Sequence, residues 1–352
     1  MSLDELLKRE RSGWMKGDGP AADIVLSSRV RLARNLADTA FPPRLSAAAA
    51  AGVVERVQAA LPSLSSALNR RFALFPLKGM SRLDRQVLVE KHLISPLLAK
   101  NDAAAVVLSE DETVSIMVNE EDHLRIQVLM PGLQLEEAWR LADAADDALS
   151  RVLNFAYSDD QGYLTTCPTN LGTGMRVSVM MHLPGLVLSQ QAGRLLGALP
   201  KLGAVVRGMY GEGSEAKGNL FQISNQVTLG QTERELTDNL SSIARQLVEQ
   251  ERSARERLYR EMRWQLEDRV CRAYGILTNA RLISSDEALR LLSDLRLGID
   301  LNILPHVPPQ VFSDLVVATR VGFLQKAASR QLTPQERDLR RATLIRQRLQ
   351  AR

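Results

Sequence analysis

Residues 114–130 read VSIMVNEEDHLRIQVLM. Apolar side chains alternate on both sides of a polar corner, NEED at 119–122, with the period of two that marks a strand. The stretch predicts an antiparallel hairpin, 114–119 paired with 124–130. Working outward, runs rich in Val, Ile, Leu or Met predict further strands at 24–33, 105–109, 176–182, 203–209 and 220–229. Helical spacing lies between them, at about 47–60, 81–99, 135–153 and 187–198. The first part of the chain therefore reads as mixed α/β.

The pattern changes at 233. Leu236, Leu240, Ile243 and Leu247 recur on one helical face, and Thr232 with Glu235 forms a capping box at its start. Strand-like alternation then disappears. Helices are predicted at 254–273, at 286–297 after a Ser284-to-Glu287 box, at 309–329 after Pro308 and Pro309, and at 334–350. The last has Thr333 as N-cap, Pro334 at its first position and Glu336 at its third. A boundary near 254 separates the mixed part from an all-helical module.

Composition excludes several classes. A chain of 352 residues, 45% hydrophobic and 24% charged, reads as a soluble globular protein long enough for two domains. A net charge of +4 is too mild for a dedicated nucleic-acid binder, and 4% aromatics leave little to stack on bases. Cys167 and Cys271 are far apart, and the histidines show no ligand spacing, which argues against a zinc site. The opening MSLDELLKRERSGW has no apolar core of a signal peptide, and no run approaches the ~18 apolar residues of a membrane span. These features predict a cytoplasmic protein with free thiols.

Chemistry is carried first by arginine. SSRVR puts Arg29 and Arg31 two apart, on one face of a strand. Arg125, Arg176 and Arg207 sit in or beside other strands built of Val, Ile, Leu and Met. Five guanidinium groups facing a core would be costly to bury, and gathered on one sheet face they would repel one another unless a polyanion neutralised them. Carboxylates form the second set: NEED at the hairpin corner, and Glu212 between glycines in YGEG. Cys167 is the third feature, either a small buried hydrophobe or, among arginines, a thiol with its thiolate favoured.

SSRVRLARN, NEEDHLR, CPTNLGTGMR and RGMYGEG, in this order and spacing, resemble the phosphagen (guanidino) kinases. The resemblance implies an antiparallel sheet flanked by helices, holding ATP and Mg²⁺ on its arginine-rich face. It implies that Ser27, Ser28, Arg29, Val30 and Arg31 contact phosphate from the first strand, with Arg125, Arg176 and Arg207 completing the cluster. Val177, Ser178, Val179 and Met180, then Gly208, Met209, Tyr210 and Gly211, would line the nucleotide, with His92 as a further contact. Glu121 and Glu212 would clamp the substrate guanidinium, and Cys167 would be the reactive cysteine set against its nitrogens.

Two departures narrow the family. Phosphagen kinases carry a helical domain ahead of SSRVR, whereas here that motif begins at residue 27. A helical module follows instead, and its last helix reads RDLRRA at 337–342. This arrangement resembles the bacterial protein-arginine kinases of the McsB type. That resemblance implies a lead segment at 1–22, a catalytic domain at 23–254 and a helical domain at 255–352. It also implies a phosphoarginine sensor at Arg337, Asp338 and Arg341. The expected activity is transfer of the ATP γ-phosphoryl to arginines of proteins. The expected clients are the transcriptional repressor of heat-shock genes and damaged, unfolded proteins destined for the Clp ATPase and protease. An activator protein and a homodimer are further expectations, with no direct nucleic-acid or membrane role. A kinase of a small free guanidino compound and an inactive ATP-binding adaptor are the alternatives.

Overall fold

The computed structural model describes residues 1–9, 11–208, 217–328 and 330–350. Its centre is a sheet of eight strands. In chain order they are β1 (Val25–Arg34), β2 (Phe72–Pro76), β3 (Ala105–Ser109), β4 (Val114–Val118), β5 (Leu124–Pro131), β8 (Met175–His182), β9 (Ala204–Arg207) and β10 (Leu220–Asn225). Across the sheet the order is β2-β3-β4-β5-β1-β8-β10-β9, and these pairings are antiparallel. A separate ribbon pairs β6 (Tyr157–Ser158) with β7 (Gly162–Tyr163). The 114–130 stretch folds as its alternation predicts. Val118 pairs with Leu124, and the corner turns through Asn119 at a φ of 59°, a left-handed value that Asn tolerates.

Period-two alternation sorts β1 into two faces. Val30 and Leu32 join Ile126, Val128, Val177 and Val179 in the main core. Three helices cover that face: α2 (Ala47–Leu68), α4 (Leu135–Ser150) and α7 (Glu233–Glu261). Arg34 also points that way, and its guanidinium is buried against Asp146 of α4 at 2.7 Å and stacked on the Tyr163 ring. An arginine on the core face thus needs a dedicated carboxylate.

Among the described residues, the opposite face is covered only at its ends. At one end, α1 (Leu3–Lys8) and α3 (Arg82–Glu90) pack Leu6, Val87 and Leu88 onto Leu108, Met117 and Leu129. At the other, α8 (Arg263–Asn279), α9 (Ser285–Asp300), α10 (Gln310–Ala318) and α12 (Pro334–Gln350) share a core with Leu26, Met180 and Leu220. Between them the described residues leave a cleft that Arg29 and Arg31 line. Two short helices, α5 (Pro184–Leu188) and α6 (Ala192–Ala198), lie beside the sheet, and α11 (Val321–Ala328) leans on α3.

Several boundaries differ from the sequence-based ones. The helix expected at 81–99 ends at Glu90, because His92 adopts a φ of 59° and Pro96 follows. The 187–198 segment breaks into α5 and α6 at Gln190, φ 58°, and 309–329 breaks into α10 and α11. The helix that begins at 233 runs past 254 to Glu261 and is interrupted at Met262. β2 was not anticipated: FALFP is a short apolar run without alternation, on the sheet edge.

Ion pairs and caps tie the later helices to the sheet. Arg255 joins Glu251 at 2.6 Å and Asp300 at 2.9 Å, while Arg296 joins Asp300 at 2.8 Å and donates to the Ala22 carbonyl. All four side chains are at least nine-tenths buried, so each charge is compensated where water is excluded. Buried Glu90 accepts the N–H groups of Gly322 at 2.9 Å and Phe323 at 3.2 Å, satisfying the first orphan donors of α11.

Candidate active site

The open middle of the second face is a cleft of about 590 Å³. Its floor carries Arg29 and Arg31 from β1, Arg125 from β5, Arg176 from β8 and Arg207 from β9. Strand register explains the convergence. Arg31 lies opposite Arg176 on one side and Gln127 on the other, Arg29 lies opposite Ser178, and Gln222 lies opposite Arg207. Arg29 Nε donates to Ser178 Oγ at 3.4 Å.

Burial, with Arg125 and Arg176 nearby, holds the Arg29 guanidinium down to about 10. Arg31 is depressed well below its ordinary value, first by burial, then by Arg29, Arg125 and Arg176, with Glu120 opposing. A guanidinium does not give up its proton in practice. The depression comes first from burial and then from the neighbouring guanidinium charges, which a bound polyanion would offset. Arg31 Nε and Gln222 Oε1 are buried without a hydrogen-bond partner, which fits a site built for a polar ligand.

The carboxylate wall comes from the hairpin corner. Arg125 is gripped by Glu120 at 2.6 Å and Glu121 at 2.7 Å. Glu121 is the only carboxylate lining the cleft among the described residues. Asp122 and His123 turn inward. Asp122 Oδ1 accepts from Asn35 Nδ2 and from the Thr166 N–H, both at 2.7 Å. His123 Nδ1 accepts the Leu36 N–H at 3.1 Å. NEEDH is thus one cleft-facing glutamate on a corner whose neighbours pin two other segments.

One of those segments carries Cys167. The thiol is half-buried, lines the cleft, and lies 3.1 Å from Thr169 Oγ1. The loop behind it is pressed onto its neighbours. A Cβ on Gly174, at φ 64°, would meet the Ala33 carbonyl at 2.6 Å, and one on Gly172 would meet the Thr228 carbonyl at 2.7 Å. Glycine is required at both positions by close backbone approach.

His92 lines the cleft beside Arg29 and meets the Trp14 ring edge-on at 5.4 Å. Burial, with Arg29 and Arg320 nearby, holds its imidazole down to about 3, so it is neutral at working pH. Ser27, Ser178 and Met180 border a narrow recess continuing from the cleft under Trp14.

Not every expected residue reaches the cleft. Val30, Val177 and Val179 lie in the core on the other face, and their part is the backbone that spaces the arginines. The Ser28 hydroxyl is consumed by the Gly132 carbonyl at 2.8 Å and the Gln134 N–H at 2.9 Å. Gly208 is buried at the end of β9. Met209, Tyr210, Gly211 and Glu212 lie outside the described residues. Sequence reasoning missed Gln127, Gln222 and Trp14. Gln127 follows Arg125 by two and could have been assigned to the same face; the others arrive through register and packing, without a local signal.

RDLRRA lies on α12, and none of its residues lines the cleft. Arg341 is buried and donates to the Thr319 carbonyl at 3.0 Å, the Ile283 carbonyl at 2.8 Å and Asp338 Oδ1 at 2.5 Å. Arg337 and Asp338 are half-buried, and Arg337 donates to the Leu332 carbonyl at 3.0 Å.

The family model of the ATP:guanido phosphotransferase C-terminal catalytic domain matches residues 52–254. That of the protein-arginine kinase McsB C-terminal domain matches residues 263–352. The chain is 58% identical over 360 residues to the protein-arginine kinase of Symbiobacterium thermophilum, covering 100% of both chains. It is 50% identical over 349 residues to that of Bacillus subtilis, covering 99% of this chain and 96% of that one. Among solved structures, lombricine kinase aligns with a TM-score of 0.58 and 25% identity, over 67% of this chain and 68% of that one. The duplicated taurocyamine kinase of Schistosoma mansoni, bound to transition state analog components, aligns with a TM-score of 0.58 and 27% identity. That alignment covers 71% of this chain and 35% of that one.

Proposed function

The chain belongs to the ATP:guanido phosphotransferase family and is a protein-arginine kinase, and we propose that the arginine-floored cleft is its transfer site. One observation carries this reading: five arginines from four strands converge on a space that Glu121 and Cys167 also line. Phosphoryl transfer asks mainly for in-line positioning and for charge to be spread over the phosphoryl oxygens. Arg29, Arg31, Arg125, Arg176 and Arg207 supply fixed positive forks for that charge. They are preorganised by the sheet, so little reorganisation accompanies binding.

ATP is the phosphoryl donor that the family implies. Magnesium fits as a rider on the triphosphate. Its donors would include phosphate oxygens and water, with Glu121 a carboxylate of the same cleft that could help hold it. When bound it would add to the charge neutralisation that the arginines provide.

The acceptor guanidinium is a poor nucleophile until its plane is fixed and a proton leaves. Glu121 would fix that plane, and Arg125 has a second carboxylate partner in Glu120 to hold it if Glu121 turned to the acceptor. Glu212 is the proposed second clamp and the favoured base. Cys167 would align and polarise the guanidinium without covalent attachment. In the balanced step, a guanidinium nitrogen bonds the γ-phosphorus, the bond to the ADP oxygen breaks, and the displaced proton passes to the carboxylate.

Ser27, Ser178, Met180 and His92 complete the nucleotide side of this assignment. The division into 23–254 and 255–352, after a lead segment at 1–22, is kept as a proposal, as is the sensor at Arg337, Asp338 and Arg341. Proposed clients are the heat-shock repressor and unfolded proteins bound for the Clp protease, with an activator protein, a homodimer and a cytoplasmic setting. No helix of the described residues is long and apolar enough to cross a membrane. The test is incubation with Mg-ATP and either an unfolded protein or free arginine, read by mass spectrometry under conditions that preserve the acid-labile P–N bond. Phosphoarginine in the protein alone is the expected result; exclusive labelling of free arginine overturns it.

A further inference from the structure

Beyond Glu121 lies a second groove, about 610 Å³, whose wall includes Pro42, Pro43, Leu45 and Leu97. Glu121 lines both this groove and the arginine-floored cleft, and Thr166 lines the groove while its neighbour Cys167 lines the cleft. The two spaces therefore meet across a sill made of Glu121 and the 166–167 backbone. We propose that the groove is a subsite for an apolar side chain next to the target arginine in an extended, unfolded client chain. The proposal rests on the cleft being the transfer site.

Three features support that occupant. First, continuity: a guanidinium held at Glu121 and Cys167 sits at the sill that the groove shares, with its main chain a side-chain length away. The adjoining residue starts one Cα step of about 3.8 Å away and, in an extended chain, points elsewhere than the arginine. Second, chemistry: most of the lining is Pro, Leu and Ala, beside the polar Asn101, Asn119, Glu120, Glu121 and Thr166, and Leu97 is 56% exposed. The prolines bring no backbone N–H, so that part of the lining makes few polar demands on an apolar guest.

Third, the wall is rigid. Pro42–Arg44 forms a 3-10 turn. The preceding Phe41 packs edge-on against the His123 ring at 6.2 Å, and the His123 ring nitrogen meets the Ala40 carbonyl at 3.1 Å. The NEEDH corner thus positions both the clamp glutamate and the groove wall, so little ordering is left for binding to supply. A compact folded surface rarely presents an arginine with an extended apolar neighbour, whereas an unfolded chain does so readily. The groove would therefore favour unfolded clients through sequence context.

The experiment uses the full chain and a permanently unfolded polypeptide carrying a single arginine, flanked on both sides either by Leu or by Ser. Wild-type enzyme should prefer the Leu-flanked client by about tenfold in kcat/KM, the scale of burying part of an aliphatic side chain. Leu97→Asp should remove that preference while leaving the Ser-flanked rate and the KM for ATP unchanged, and Leu97→Met should restore it. Equal wild-type rates on the two clients, or an equal loss on both with Leu97→Asp, would overturn the subsite. If instead Arg29→Ala leaves turnover of both clients intact, the transfer-site reading is what fails.

Discussion

The Asp122 carboxylate accepts the backbone N–H of Thr166 at 2.7 Å, joining positions 44 apart in sequence. Because Asp122 follows Glu121 and Thr166 precedes Cys167, this bond sets the spacing between the proposed clamp and the thiol. The same oxygen holds Asn35 at the end of β1, so three segments of the cleft share one buried acceptor. Asp122→Ala leaves two donors without it, at about 1–3 kcal/mol each. A lower melting temperature is expected, with kcat falling far more than ATP affinity. Unchanged kcat would show that the sill is positioned by other contacts.

Cys167→Ser is expected to lose most phosphoarginine formation while remaining folded. Among the described residues the thiol has one close polar neighbour, Thr169, and the loop is held instead by its backbone and by Thr228. Phosphoarginine yield and circular dichroism together check this. Near wild-type turnover would remove the sulfur from the mechanism.

How far the site was legible in sequence depends on whether its cause is local. Arg29 and Arg31 were legible because a strand has period two, and the 114–130 hairpin because both arms alternate. Gln222 and Trp14 were not, since only register and packing bring them to the cleft. Ser28 looked equivalent to Ser27, yet alternation sends its hydroxyl to Gly132 and Gln134 on the other face. His92 was legible as a motif neighbour, but its left-handed backbone, which ends α3 early, has no local signal beyond Pro96.

Glu90 and Gly322 couple the nucleotide side of the cleft to α11. A Cβ at Gly322 would lie 2.7 Å from Glu90 Oε2, so any larger residue there must push the carboxylate aside. Glu90→Ala strands two N–H groups, and Gly322→Ala displaces the carboxylate. Each is expected to lower the melting temperature and raise the KM for ATP severalfold through His92, two residues from Glu90, with kcat at saturating ATP retained. Thermal unfolding with ATP titration measures both effects; an unchanged KM would confine Glu90 to stability.

Acid stability should depend on histidine. His92 is held down to about 3, and His182, buried with its Nε2 2.8 Å from Ser293 Oγ, lies well below its ordinary value. The unfolded chain takes up these protons near pH 6.5, where the folded chain does not. Their contribution is therefore full above about pH 6.5 and is lost as pH falls toward the folded values. Melting temperature should drop between about pH 7.5 and pH 5.5, and His92→Asn should reduce that drop. An identical drop in the variant would contradict the neutral, buried imidazole.

Arg341 and Asp338 separate two meanings of RDLRRA. Arg341 gives its hydrogen bonds to the Thr319 and Ile283 carbonyls, holding α12 to the segment before α9 and to the turn between α10 and α11. Arg341→Ala leaves buried carbonyls without donors, and a loss of about 2–4 kcal/mol in stability is expected. Such a variant cannot isolate sensing from folding. Asp338 is half-exposed and bonds Arg341 through one oxygen, so Asp338→Ala spares the backbone contacts. It is expected to keep the melting temperature within a few degrees and to alter the change in kinase rate on adding free phosphoarginine. A response equal to wild type would assign the motif to holding α12 in place.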